Sequence, residues 1–184
     1  MKKLLLFPFL VFLFSPFILL SQITNENIHE LINDWDTDEQ FAIEFLYGNI
    51  SDWDVSNVTD MSYLFAYEDF FTTEDLSAWD VSNVTNMSFM FYGASNFRGE
   101  GDISDWDVSN VTNMSYMFAN DQAGSGDYLY WFQGDISDWD VSSVTDMSHM
   151  FKHADYFNED ISDWDVSSVT NMSYMFYDND TFNQ

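Results

Sequence analysis

The 184-residue chain contains no cysteine. Disulfide bonds, thiol catalysis, a cysteine-based zinc site and a cysteine-linked lipid anchor are therefore excluded. Basic residues are also scarce: four Lys and Arg stand against 32 Asp and Glu, and the formal net charge is −28 at pH 7. Affinity for phosphate is built from Lys and Arg, so nucleic acid and anionic membrane surfaces are excluded as partners.

Motifs for catalysis are absent as well. The sequence has no nucleophile paired with a base, no phosphate-binding loop and no cofactor fingerprint. We therefore expect that the protein is not an enzyme and requires no cofactor. The composition is nevertheless that of a folded protein, because 46% of the residues are apolar and 20% are aromatic, which is too hydrophobic for a disordered acidic tail.

The first 22 residues have the pattern of an export signal. Lys2 and Lys3 precede an apolar run from Leu4 to Leu20, which is followed by Ser21 and Gln22. This order predicts a signal peptide over residues 1–22, cleaved near Ser21, and a secreted or cell-surface protein. An uncleaved transmembrane anchor is the alternative, because the apolar run is long for a signal peptide.

Five copies of one phrase make up most of the remaining chain. The sixteen residues from Ile50 to Phe65 read ISDWDVSNVTDMSYLF, and similar phrases begin at Leu76, Ile103, Ile136 and Ile161. Repetition of this kind predicts that each unit packs on a copy of itself. The third unit carries an insertion within residues 120–131, and the chain ends just before another phrase would begin, which favours a truncated C-terminus.

The spacing within each unit predicts an α/β repeat solenoid over residues 50–184. Ile50, Trp53 and Val55 have the apolar spacing of the short parallel strand in a leucine-rich repeat, and the residues after Met61 suggest a short outer helix or turn. Residues 23–49 are interpreted as a helical N-terminal cap. In that segment, residues 37–40 read as a capping box that opens a second helix, and Gly48 stops it.

The repeated phrase resembles a known family. Trp-Asp-Val-Ser-Asn-Val-Thr-Asn-Met-Ser-Tyr-Met-Phe, with Phe-Asn at the turn, is similar to the bacterial surface-protein repeat of the BspA-like leucine-rich-repeat group, also described as a domain of unknown function. The resemblance covers Ile50 to Gln184 and implies a surface protein with a role in adhesion. Val58 stands where an ordinary leucine-rich repeat has asparagine, so the arc after the strand must differ.

Carboxylates recur at two positions of each phrase. Alternation along the predicted strand places Trp53 inside the protein and Asp52 and Asp54 outside. Like charges on neighbouring coils repel, and Ca²⁺ could relieve this repulsion; we expect a Ca²⁺ site at Asp107, Asp140 and Asp165. A solvated acidic face without bound cations is the alternative. The two rows are Asp54, Asp80, Asp107, Asp140 and Asp165, and Asp52, Asp105, Asp138 and Asp163, with Ala78 interrupting the second.

The repeated tryptophans and the two histidines of the fourth repeat are not expected to form a binding site. The repeated tryptophans are expected in the core, and His149 and His153 are interpreted as an incidental surface pair. The insertion adds Tyr128, Tyr130 and Trp131, which are candidate binding residues because loops of this kind often carry function.

Together these features predict a secreted or cell-surface binding module whose acidic strand face contacts an extracellular protein or polysaccharide. A passive structural spacer with an acidic, solubilising coat is the alternative.

Overall fold

The computed structural model describes residues 22–35, 37–68, 75–94, 97, 103–120 and 132–184. The predicted signal peptide, apart from Gln22, lies outside this set, as do residues 121–131 of the insertion. Among the helices of the described residues, none is long and apolar enough to cross a membrane.

Two helices precede the repeats: α1, Ile28–Trp35, and α2, Gln40–Tyr47. The buried residues of α1 are Ile28, Leu31, Ile32 and Trp35, whose spacing places them on one helix face. The ring of Trp35 meets the ring of Trp53 edge to face, with 5.4 Å between centroids. The first helix therefore packs its apolar face against the first repeat.

The ends of α2 agree only partly with the sequence pattern. The predicted capping box is wrong: the N-cap residue is Glu39, and its side chain makes no capping bond. Thr37 Oγ1 instead accepts a hydrogen bond from the Glu39 N–H, at 3.1 Å, so it stabilises the turn before the helix. At the other end, Gly48 has a φ of 81° and donates its N–H to Glu44 O, which confirms the predicted stop.

The predicted α/β leucine-rich-repeat solenoid is wrong. In the described part of the repeats the backbone forms turns, isolated parallel bridges and one three-residue 3-10 helix, η1, Ile50–Asp52, with neither strands nor a sheet. Residues 50–55, assigned to the strand, begin with this helix. The bridges link the equivalent residues Asp60, Asn86, Asn113, Asp146 and Asn171.

Consecutive tight turns explain why the described residues of the repeats contain neither the predicted strand nor the predicted outer helix. The N–H groups of Trp53, Val58 and Leu64 donate to the carbonyls three residues earlier, those of Ile50, Val55 and Met61. Each of these turns has an apolar residue at both ends. The resulting i, i+3 spacing of apolar residues is the same spacing that predicts a strand or a helix face in the sequence. Tyr63 has a φ of 61°, and a left-handed residue interrupts an α-helix.

Each repeat forms one coil that is hydrogen-bonded to the next. The N–H groups of Met61, Tyr63 and Phe65 donate to the carbonyls of Asn86, Ser88 and Met90 in the second coil, at 2.8–3.0 Å. The corresponding residues make the same bonds between the second and third, third and fourth, and fourth and fifth coils. The repeats therefore lie one over another in register, as the sequence repetition predicts.

Rows of identical side chains fill the core between coils. The repeated tryptophans are at most 8% exposed, which confirms that they belong to the core. The indoles of the second to fifth coils also bond to the preceding coil; Trp79 Nε1, for example, donates to Ile50 O at 2.8 Å. In the first coil, Trp53 Nε1 donates to Gly48 O, at the end of α2. A second row stacks face to face with 5.3–5.7 Å between ring centroids, and its members are Phe65, Phe91, Phe118, Phe151 and Phe176.

Candidate functional site

The two predicted rows of carboxylates lie on the outside of the coils. All members of both rows are exposed, while the tryptophan that separates them in each repeat is buried. We call the complete set, one per coil, the acid row: Asp54, Asp80, Asp107, Asp140 and Asp165.

A serine two residues further on fixes each member of the acid row. Asp107 Oδ1 accepts hydrogen bonds from the Ser109 N–H at 3.1 Å and from the Ser109 hydroxyl at 2.6 Å. The backbone bond of this turn recurs in all the other coils. Such a turn is an Asx turn, which holds both the backbone and the carboxylate in one orientation. The acid row is therefore a fixed feature of the surface.

These hydrogen bonds favour the ionised carboxylates. The Ser82 hydroxyl and N–H lower the pKa of Asp80, and Ser142 and Ser167 do the same for the pKa values of Asp140 and Asp165. The charge of Asp165 acts in the opposite direction on the pKa of Asp140, which shows that neighbouring coils are close enough for their carboxylates to repel. Asp80, Asp140 and Asp165 are thus negatively charged at neutral pH.

Two further Asx turns occur in the repeats, and sequence reasoning missed both. One lies just before the second, fourth and fifth phrases, where Asp75, Asp135 and Asp160 accept the N–H of the serine two residues later. The other lies at the bridge position, where Asp60 accepts from the Ser62 N–H and from Asn86 Nδ2. The signal was available, because Asp or Asn stands two residues before serine at these places in the sequence.

The bridge carboxylates are partly buried and bonded between coils. Burial alone would raise the pKa of Asp146, but hydrogen bonds from Ser148 and Asn171 bring its pKa below the ordinary value. Burial and the hydrogen bonds of Ser62 and Asn86 compete in the same way at Asp60, whose pKa is also lowered. These two carboxylates therefore contribute to coil stacking in their ionised form.

The expected Ca²⁺ site at Asp107, Asp140 and Asp165 stays a prediction. Within the described ranges, no group of three or more His, Asp or Glu side chains is arranged to hold a metal ion. Each of these carboxylates accepts a hydrogen bond from its own serine. The sites expected at Tyr128, Tyr130 and Trp131 fall outside the described residues.

A row of stacked rings lies on the outer surface. Its members share one position of the repeated phrase, but their stacking was not predicted from the sequence. Each ring lies over the next with 4.3–5.1 Å between centroids, and each residue has a φ of 58–61°. Tyr63 and Tyr174 are 54% and 63% exposed. Because the rings cover one another's faces, the inner members offer edges to a ligand. We call this row the ring ladder; its members are Tyr63, Phe89, Tyr116, His149 and Tyr174.

The two histidines of the fourth coil have separate contacts. The His149 ring stacks on Tyr116 and Tyr174 within the ring ladder. His153 Nδ1 lies 3.2 Å from Asp178 Oδ2 of the fifth coil. They therefore take part in different contacts between coils.

The chain belongs to the family described as Mycoplasma protein of unknown function, DUF285. The family matches residues 36–131 and 127–184, which include the second helix and all the repeats. No curated protein and no solved structure matches the chain. The match supports a repeat protein of surface type and assigns no activity.

Proposed function

We propose that the chain is a secreted or cell-surface binding module whose acid row contacts a cationic region of an extracellular protein or polysaccharide. The observation that carries this proposal is the presence of an exposed, serine-anchored carboxylate at the same place in every coil. A fixed line of like charges attracts an opposite charge over a distance and loses little freedom when a partner binds.

The resemblance to the BspA-like group is a second reason for this proposal. DUF285 occurs in BspA-like proteins, the group that the repeated phrase resembles and for which adhesion is the usual proposal. The finer assignment to the BspA-like group is part of this proposal. The chain's own charge agrees with it, since a protein with a formal net charge of −28 favours basic partners.

The experiment is a binding titration with two defined cationic probes, a fluorescent hexalysine peptide and soluble chitosan. The test variant combines Asp107→Asn with Asp140→Asn. The matched control combines Asp135→Asn with Asp160→Asn, which removes the same charge from another row of Asx turns. Asparagine forms this turn at Asn49, where it accepts the Ser51 N–H, so both variants are expected to fold.

If the acid row is the contact site, the test variant binds at least one probe roughly fivefold more weakly, and the control binds nearly as well as the unmodified chain. An equal loss in both variants would show that only total charge matters. The absence of saturable binding to either probe would favour a structural spacer, which is also consistent with carboxylates that are already hydrogen-bonded to serine.

Calcium bridging is tested separately by melting the chain with CaCl₂ and with NaCl at matched ionic strength. Specific sites on the acid row raise the melting temperature in CaCl₂ alone, and the Asp107→Asn, Asp140→Asn variant removes that rise. Equal melting temperatures in the two salts would indicate screening of the charges and no Ca²⁺ bridge.

A further inference from the structure

The ring ladder carries tyrosine or phenylalanine in every coil except the fourth, which has His149. The imidazole keeps the geometry of the row, stacking 4.3 Å from Tyr116 with 5° between the ring planes. Its distance to Tyr174 is 5.1 Å, the longest step of the ladder. Since imidazole ordinarily gains a proton near pH 6.5, this ring can become charged in mildly acidic water.

One nitrogen of the ring is poorly placed to carry that proton. His149 Nδ1 is buried and has no hydrogen-bond partner. The neutral ring can hold its proton on Nε2 and leave Nδ1 as an acceptor, but the protonated ring has a hydrogen on both nitrogens. Protonation therefore creates a buried N–H donor without an acceptor, which is unfavourable in the folded state.

Burial is the largest influence on the pKa of His149. Burial and the neighbouring Lys152 lower the pKa of His149, while Asp146 acts in the opposite direction. The rings of Tyr116 and Tyr174 can attract a cation, but this attraction is weak where rings are partly exposed. The folded coils thus bind a proton at His149 less readily than the unfolded chain does.

Another histidine lies at the same junction. His153 Nδ1 is 3.2 Å from Asp178 Oδ2, a contact that joins the fourth and fifth coils and is an ion pair only when the imidazole is charged. Asp155 lies near Asp178 and Asp180, and burial together with these two charges raises its pKa. A test of His149 must therefore separate its effect from those of His153 and Asp155.

We propose that His149 makes the packing of the fifth coil on the fourth sensitive to acid. In mildly acidic water the protonated ring is expelled from the ring ladder, and the bonds between these coils open more often. At this junction the N–H groups of His149, Phe151 and His153 donate to the carbonyls of Ser173, Met175 and Tyr177, each at 2.9 Å. The first two coils have Tyr63 and Phe89 at this position and keep their packing.

The test compares the unmodified chain with His149→Tyr, which installs the residue found in the third and fifth coils. Amide hydrogen exchange, corrected for its intrinsic pH dependence, is measured at pH 7.5 and pH 5.0 for His149 (or Tyr in the variant), Phe151 and His153. The amides of Tyr63 and Phe65 serve as an internal control. In the unmodified chain we expect protection of the three amides to fall roughly threefold to tenfold at the lower pH, with little change in the variant.

An equal fall in both proteins would assign the effect to His153 or the carboxylates and overturn the proposal. Unchanged protection in the unmodified chain would overturn it as well. An NMR titration of His149 in the unmodified chain gives an independent readout. A pKa below that of an unfolded reference peptide supports the proposal, and a pKa at or above the reference contradicts it.

Discussion

Val141 and Val166 occupy the same place in the fourth and fifth coils, yet 1% of Val141 and 39% of Val166 is exposed. Met147 and Met172 differ in the same way, at 0% and 42%. The phrases around them are nearly identical, so the sequence of a coil does not by itself bury its apolar residues. Burial is supplied by the coils on both sides, and an inner coil is expected to be more stable than an outer one.

The largest expected difference is between the same phenylalanine in an inner and an outer coil. Phe118 is fully buried and stacks on Phe91, Phe132 and Phe151. Phe118→Ala should lower the free energy of unfolding by about 3–5 kcal/mol. The matched change Phe176→Ala should cost roughly 1–3 kcal/mol, because Phe176 is only partly buried. Urea unfolding measures both values, and equal losses would contradict the comparison.

Gly93 and Gly48 test how closely the coils approach. Both have positive φ, 66° and 81°, but a Cβ at Gly93 would lie 2.8 Å from the Tyr67 ring, whereas nothing lies within 4 Å of a Cβ at Gly48. Gly93→Ala should therefore destabilise the chain by about 2–4 kcal/mol, and Gly48→Ala by about 1–2 kcal/mol. Thermal melting distinguishes them, and a smaller loss at Gly93 than at Gly48 would show that the first two coils pack less tightly.

The bridge carboxylates predict a loss of stability in acid. The pKa values of Asp60 and Asp146 are lowered in the folded state, so their stabilising effect is complete above the unfolded pKa and is lost as the pH falls through the folded values. Below about pH 4 the chain should weaken progressively. Combining Asp60→Asn with Asp146→Asn should reduce this pH dependence, because asparagine forms the bridge in the other coils.

At pH 7 the same double substitution should change the free energy of unfolding by less than about 1 kcal/mol. Urea unfolding at pH 7 and pH 3.5 gives the comparison. Asp107→Asn, on the exposed acid row, is the matched control. If the double variant kept the full pH dependence of the unmodified chain, the acid sensitivity would have to originate at other carboxylates.

The stacking of the coils was predictable from the sequence, and the backbone within each coil was not. Repetition alone indicates that Trp53 lies beneath its counterpart Trp79, and their rings are stacked with 6.4 Å between centroids. The spacing of Ile50, Trp53 and Val55, however, is shared by short strands and by consecutive turns. Only hydrogen-bond partners distinguish the two, and these depend on local backbone angles that the apolar spacing leaves open.

The candidate site was also predicted only in part: the sequence indicated the exposed acid row but not the stacking of the ring ladder. The exposure of the acid row follows from its place beside a buried tryptophan, so it could be inferred without coordinates. The stacking of the ring ladder could not be inferred in this way. Tyr63 and its counterparts have helical spacing relative to their apolar neighbours, and no residue of the phrase indicates their positive φ. The pattern that does reveal the turns is Asp or Asn two residues before serine, a local signal of an Asx turn.

The most direct test of coil stacking in register is a disulfide between the third and fourth coils. The Thr145 N–H donates to Thr112 O at 2.9 Å, and a direct bond between these two backbones keeps their Cα atoms within the range that a disulfide spans. Because the chain has no cysteine, Thr112→Cys with Thr145→Cys forms a unique pair, and Thr85→Cys with Thr145→Cys, two coils apart, is the control. Under mild oxidation without denaturant, we expect rapid and complete cross-linking of the first pair and almost none of the second. Equal rates for the two pairs, or no faster reaction than in urea, would contradict stacking in register.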